Sequence, residues 1–294
     1  MTIPCKPEDL TADWLGGVLG TPVASVEVTA IGTGQTGATY RVAATYAGGP
    51  GDAPATFAVK LPAQDDAVRE RVALGYLSEV EFYSTVTTQV AIPVPGCFYS
   101  EISSDGADFV LLMADMAPAV QGDQIAGCTT AEAALAVEAL AGLHGPSWGD
   151  RRWFDLPSIV MPKPGDAEAA KGLGDVAVMA ADITLDKLGG KVSDEDRVTL
   201  TTSMALVSPW LMAEPERFSL MHGDYRLDNL LFDPERTRVT VVDWQTIGLG
   251  LPARDLAYFT ATSLRPDDRA GLERDLVQRY HRALVGYGVP DYDL

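Results

Sequence analysis

One stretch constrains this chain more than any other. It runs His222-Gly223-Asp224-Tyr225-Arg226-Leu227-Asp228-Asn229 and continues, after a short spacer, as Val239-Thr240-Val241-Val242-Asp243-Trp244-Gln245. The pattern is two short apolar or β-branched runs around a loop that presents an Asp, an Asn and a second Asp. Leu230 to Phe232 and residues 239–242 make a hairpin across the turn Asp233-Pro234-Glu235-Arg236. Such a hairpin returns Asp243 to the side of Asn229, close enough to share a metal. Phosphoryl transfer needs this set of groups: a carboxylate to orient and deprotonate an acceptor hydroxyl, and two oxygen ligands to hold Mg²⁺ against phosphates. A lone Asp before an apolar run is usually a turn or cap residue; the weight lies on the whole array.

With 294 residues the chain can bury a sizeable core or build two lobes that share a cleft. Its formal net charge of −19 argues against nucleic acid as a partner, because phosphates would be repelled over the whole surface. A polybasic membrane patch is equally unsupported. An anionic nucleotide would need Mg²⁺ and a few placed cations to offset this field, helped by a Debye length of about 8–10 Å at physiological salt. Cys5, Cys97 and Cys128 are far apart and suggest neither a disulfide framework nor a metal site. No apolar signal segment opens the sequence and no run approaches a membrane span, so a cytoplasmic protein is expected. The oligomeric state is not legible.

Residues 8–20 have Leu10, Trp14, Leu15 and Val18 at helical spacing. From 23 to about 60 the pattern is β, and 69–86 reads as helix. Phe98-Tyr99 and Phe109-Val110-Leu111-Leu112-Met113 read as further strands. Beyond Asp115 the chain turns helical: 130–144 with Thr129 or Thr130 as N-cap, 196–212, and 266–286. Between 145 and about 196 the Pro and Gly breaks read as a less regular stretch. The sum is a bilobal α+β protein, with a small antiparallel-sheet lobe over 1–115 and a larger, mainly helical lobe over 116–294.

Gly32-Thr33-Gly34-Gln35-Thr36-Gly37 has the form GxGxxG. A dinucleotide-binding turn should open a helix, but Ala38-Thr39-Tyr40-Arg41-Val42 is a strand pattern. A glycine-rich hairpin laid over phosphates fits better. Ala58-Val59-Lys60 ends the next strand. A lysine there is often a solvated edge residue, but after a glycine-rich hairpin it suits pairing with nucleotide phosphates while a helix glutamate holds it. Glu79 is the first candidate partner and Glu81 the second; about 200° separates them on a helix, so only one can face Lys60.

With these residues in place the chain resembles the aminoglycoside phosphotransferase and choline kinase-like family, especially the branch with ecdysteroid-kinase-like proteins and kinase domains fused to acyl-CoA dehydrogenases. The likeness runs over nearly the whole length. It is most specific in the 222–229 loop, Asp243-Trp244-Gln245 and Asp255-Leu256-Ala257-Tyr258-Phe259. It implies a protein-kinase-like fold and the cofactors ATP and Mg²⁺. Asp224 would be the catalytic base, with Arg226 reaching the transferred phosphate. Asn229 and Asp243 would hold the metal. Lys60, Glu79 and the turn residues Gly32, Gly34, Gln35, Thr36 and Gly37 would bind the nucleotide. His222, His144 and Asp255 would support the loop structurally, and 111–118 would meet the adenine.

The expected activity is ATP- and Mg²⁺-dependent phosphorylation of a hydroxyl on a small molecule. Residues 145–215, including Trp148, Trp153 and Trp210, should shape the acceptor site. The acidic residues Asp150, Asp155 and Asp166 could draw a cation, though acidity is spread over the whole chain. A nucleotide-binding module without catalysis and a protein kinase are the alternatives. The intact set Lys60, Asp224, Asn229 and Asp243 opposes the first, and the short span from Asp243 to Asp255 opposes the second.

Overall fold

The structure, a computed structural model, describes residues 2–32, 37–49, 51, 53–159 and 161–290. Its first part is an antiparallel sheet of five strands: β1 (Val23–Ile31), β2 (Gly37–Tyr46), β3 (Thr56–Pro62), β4 (Cys97–Ile102) and β5 (Phe109–Ala114). They lie in the order β1-β2-β3-β5-β4. Alternation along the strands divides the side chains between two faces. Phe57, Val59 and Leu61 of β3 join Val110 and Leu112 of β5 in a core closed by Trp14 and Leu15 of helix α1 (Ala12–Leu19). The Thr11 hydroxyl caps α1 by accepting the Trp14 N–H, and Gly20 ends it in the left-handed region.

The opposite face carries Ala58 and Lys60 from β3, with Phe109, Leu111 and Met113 from β5. Lys60 does not end β3 as expected, since the strand runs on to Pro62; it points away from the α1 core, towards helix α2 (Asp66–Glu81). Asp65 caps α2 through the N–H groups of Ala67 and Val68. Tyr76 stacks on Phe109 with ring centroids 4.3 Å apart, which fixes the helix against the sheet. A π-helical turn, Phe82–Val86, continues α2.

The remainder is mainly helical: α3 (Thr130–Ser147), α4 (Ala167–Leu188), α5 (Asp194–Ala205), α6 (Val207–Leu211), α7 (Ala253–Ser263) and α8 (Pro266–Gly286). Thr129 and Glu132 form a reciprocal capping box on α3, which packs on α8 within the main hydrophobic core. Short strands complete the fold: β6 (Val120–Gln121), β8 (Leu230–Phe232) and β9 (Val239–Val241) in one sheet, and β7 (Ser219–Met221) with β10 (Gly248–Gly250) in another. Among the described residues no helix is long and apolar enough to cross a membrane.

Two further expectations need correction. The stretch read as irregular contains the 22-residue helix α4. Its Gly174 is a packing surface rather than a break: a Cβ there would lie 2.8 Å from Ser208 Cβ, so glycine admits α6 against α4. The single helix expected over 196–212 divides at Leu206, because Pro209 has no N–H to offer the Ala205 carbonyl. The motif from Asp255 to Phe259 lies within the helix α7.

Candidate active site

The loop after β7 is pinned from below by buried polar groups. Asp255 on α7 accepts the N–H groups of His222 (2.6 Å) and Gly223 (3.0 Å) and lies 3.3 Å from His144 Nε2. Burial opposes its charge, but these donors hold its carboxyl below the ordinary value. His222 Nδ1 accepts the Asp224 N–H, so Nε2 carries the proton and donates to the Val242 carbonyl at 3.1 Å. Burial pulls this imidazole below its ordinary value, in keeping with a neutral structural hub. Gly223 has φ 82°, and a Cβ there would lie 2.4 Å from the Thr246 carbonyl oxygen. Only glycine fits this crossing.

The hairpin forms as the spacing predicts. Leu230 pairs with Val241, Phe232 pairs with Val239, and the Val242 N–H donates to the Asn229 carbonyl at 3.0 Å. Asp233 organises the turn by accepting the N–H groups of Thr237 and Arg238. Asp243 then adopts φ 66°, a left-handed conformation costly for a non-glycine residue though tolerated best by Asp and Asn. Behind it Trp244 is fully buried, stacked on Phe82 at 3.6 Å and leaning on His222 at 4.6 Å.

Lys60 Nζ lies 2.6 Å from Glu79 and 3.2 Å from Asp243. Burial would pull this amine down; the two carboxylates outweigh it and hold it above its ordinary value. Burial pushes Glu79 up, against the pull of Lys60. Asp243 is also disfavoured by burial, yet Lys60 keeps it below the ordinary carboxylate range. Glu81 is occupied elsewhere, accepting the Ser158 N–H. The Trp244 N–H and Gln245 Nε2 both donate to Glu79 at 3.4 Å, which ties α2 to the segment carrying Asp243. Gly37 lies so near that a Cβ would stand 3.3 Å from Lys60 Cε.

The Asp224 carboxylate accepts from three side chains: Oδ2 takes Arg226 Nε and Asn229 Nδ2, each at 3.0 Å, and Oδ1 takes the Tyr258 hydroxyl at 3.0 Å. Asn229 Nδ2 also donates to the Asp224 carbonyl at 2.8 Å, which leaves Oδ1 of the amide as an acceptor. Arg226 bridges Asp224, Asp228 and Gln124.

Gly32, Gly37, Lys60, Glu79, Asp224, Arg226, Asn229 and Asp243 all line one cleft of about 780 Å³, walled on its far side by 113–117. Gly34, Gln35 and Thr36 lie outside the described residues. Among the described residues no group of three or more His, Cys, Asp or Glu side chains could hold a metal ion. Mg²⁺ needs less, since it is commonly bound through one or two carboxylates with substrate phosphates and water. The free amide oxygen of Asn229 and the carboxylate of Asp243 fit that donor set.

Sequence reasoning assigned no role to Arg41, Tyr258 or Arg254, and gave Asp115 a place only within the 111–118 stretch. Arg41 and Asp115 form a bidentate pair (2.7 and 3.1 Å) in the cleft wall. Tyr258 touches Asp224. Arg254, four positions earlier on α7, lies with its guanidinium 5.0 Å from the Trp210 ring. The i, i+4 spacing of Arg254 and Tyr258 was the available signal. Of the tryptophans expected near an acceptor, Trp153 is core and only Trp210 is clearly exposed. Asp150 and Asp166 are helix caps.

The chain belongs to the phosphotransferase enzyme family (APH), which matches residues 27–292. Acyl-CoA dehydrogenase family member 10 of Mus musculus is 35% identical over 107 residues, 31% of this chain but 10% of that protein, so the chain spans a small part of that relative. Choline kinase from Cryptosporidium parvum shares the fold with TM-score 0.58 and 12% identity, over 89% of this chain and 74% of that one. The streptomycin–ATP–APH(2")-IIa ternary complex does so with TM-score 0.53 and 13% identity, over 95% and 83%. The fold is the bilobal, protein-kinase-like one that the motifs implied.

Proposed function

We propose that this member of the phosphotransferase enzyme family transfers the γ-phosphoryl group of Mg·ATP to a hydroxyl of a small molecule. The observation that carries the reading is the convergence of Lys60, Glu79, Asp224, Asn229 and Asp243 on one cleft. Residues 1–115 form the nucleotide-binding lobe and 116–294 the lobe that supplies the catalytic loop and acceptor wall. A complex with ATP and streptomycin among the similar folds supports nucleotide and small-molecule binding in the same kind of cleft.

Lys60, steadied by Glu79, neutralises nucleotide phosphate oxygens, and Gly32 and Gly37 line the cleft beside them. Asn229 and Asp243 would hold the metal, which when bound would offset the charge of the phosphates. Asp224 orients the acceptor hydroxyl. The acceptor oxygen bonds to the γ-phosphorus as the bond to the β,γ-bridging oxygen breaks, and ADP leaves with that electron pair. The hydroxyl proton passes to Asp224 and then to water. Arg226, already against Asp224, steadies the charge that builds on the transferring group.

Transfer of labelled γ-phosphate from Mg·ATP to a panel of aminoglycosides, choline, sugars, macrolides and hydroxyacyl-CoAs tests the reading, with the Asp224→Ala protein as blank. A labelled product formed only by wild type is expected. Equal labelling by the variant would overturn the assignment of Asp224. Nucleotide binding without transfer to any acceptor would favour the binding-module reading, and labelled protein bands in a lysate would favour a protein kinase.

A further inference from the structure

Arg254 stands apart in a chain with 41 acidic and 22 basic residues. With nearly two carboxylates for every cation, an arginine usually finds an acidic partner. Arg41, Arg69, Arg152, Arg226, Arg236 and Arg279 all do so here. The half-buried guanidinium of Arg254 forms no hydrogen bond or close ion pair with a carboxylate or carbonyl among the described residues; Asp255, committed to His144, His222 and Gly223, acts on it only through space. It rests on the indole of Trp210, which is 45% exposed. Gly250 makes room for it: a Cβ there would lie 3.0 Å from Arg254 Nη1. The five donors of this planar group suit a carboxylate or phosphate.

Its place on α7 connects it to the reaction. Arg254 and Tyr258 are four residues apart and share a helix face, their Cβ atoms about 5–6 Å from one another. Tyr258 donates to Asp224 Oδ1, whereas Oδ2 is engaged by Arg226 and Asn229. An acceptor hydroxyl approaching Asp224 therefore meets Oδ1 beside Tyr258, one helical turn from Arg254.

We propose that the acceptor is a hydroxyl compound that also carries an anionic group, a carboxylate or a phosphate ester. Arg254 and Trp210 bind that group while the hydroxyl lies at Asp224 next to Tyr258. The placement of the hydroxyl rests on the kinase reading above; the anion site rests on Arg254, Trp210 and Gly250. The site disfavours cationic acceptors, because an amine in the same position would meet the guanidinium.

The test uses four matched series of acceptors with about two to six methylenes: ω-hydroxycarboxylates, hydroxyalkyl phosphates, hydroxyalkylamines and diols. Wild type is expected to show kcat/KM about tenfold to a hundredfold higher for one or both anionic series than for diols, and lowest for amines. The better anionic series identifies the group. Arg254→Gln should erase that preference by raising acceptor KM with Mg·ATP affinity unchanged, and Arg254→Lys should restore part of it. Preference for diols or amines in wild type, or an unchanged preference in Arg254→Gln, would overturn the proposal. Should no series be phosphorylated, the kinase reading is what suffers, and fluorescence titration with the same compounds still decides the anion site. Saturable quenching by an anionic series, lost in both Trp210→Phe and Arg254→Gln, would sustain it; no such quenching would overturn it.

Discussion

The side of the molecule proposed to hold the nucleotide and the side proposed to meet the acceptor are built by opposite rules. On the nucleotide side Lys60 and Glu79 are buried, Asn229 is 6% exposed, and each functional group is held by at least one other. On the acceptor side Tyr258 and Trp210 are exposed, and α4 and α5 present Met179, Ile183 and Val198 to solvent. Phosphate and metal chemistry requires charges fixed before the reaction, because their preorganisation is what lowers the barrier. Acceptor recognition asks only for a complementary surface, so that face can vary at little cost to the fold.

This contrast is open to attack at several strengths. Asp224→Ala should lower turnover by about 10²–10⁴-fold while Mg·ATP binding persists; steady-state kinetics with equilibrium nucleotide binding would show both. Lys60→Met strands Glu79 as a buried charge and should cost about 3–5 kcal/mol of stability, seen as a lower denaturant midpoint. Gly223→Ala should cost at least about 1–3 kcal/mol from backbone strain, with the clash at Thr246 adding to it, measured the same way.

A smaller effect concerns pH. Asp255 has its folded value below the ordinary carboxylate value of about 3.9. Its contribution is therefore present above that value and disappears as pH falls through the folded one. The groups facing it are His144 of α3, the N–H groups of His222 and Gly223, and Arg254 on its own helix. The stability gap between wild type and Asp255→Asn should narrow as urea melts are taken from pH 7 towards pH 3. Smallest of all, Trp210→Ala should shift stability by no more than about 0.5 kcal/mol, in keeping with an exposed side chain. A loss comparable to that of Lys60→Met would erase the distinction between the two sides.

Legibility followed the same divide. The 222–229 loop, the returning Asp243, Lys60 and its helix partner could be read because each chemical role demands one residue type at a nearly fixed spacing along strand and turn. The helix α4 was missed because Gly172 and Gly174 look like breaks in a linear pattern, whereas Gly174 is small in order to seat Ser208. Tyr258 and Arg254 were in plain view beside Asp255. Nothing local reveals that one donates to Asp224 while the other lacks an acidic partner.

By itself the sequence determined the strands of the first sheet, the hairpin that returns Asp243 to the side of Asn229, and the set of groups available for phosphoryl transfer. These follow from alternation, turn chemistry and spacing, which act over a few residues. Only the tertiary structure decided that Glu79 rather than Glu81 meets Lys60, that Asn229 turns its amide nitrogen to Asp224, and that Arg254 is left to Trp210. Those choices depend on which helix face packs against the sheet and on which donors reach a carboxylate first. For Lys60 and Glu79 the fixing contacts come from far along the chain, from Asp243 and Trp244.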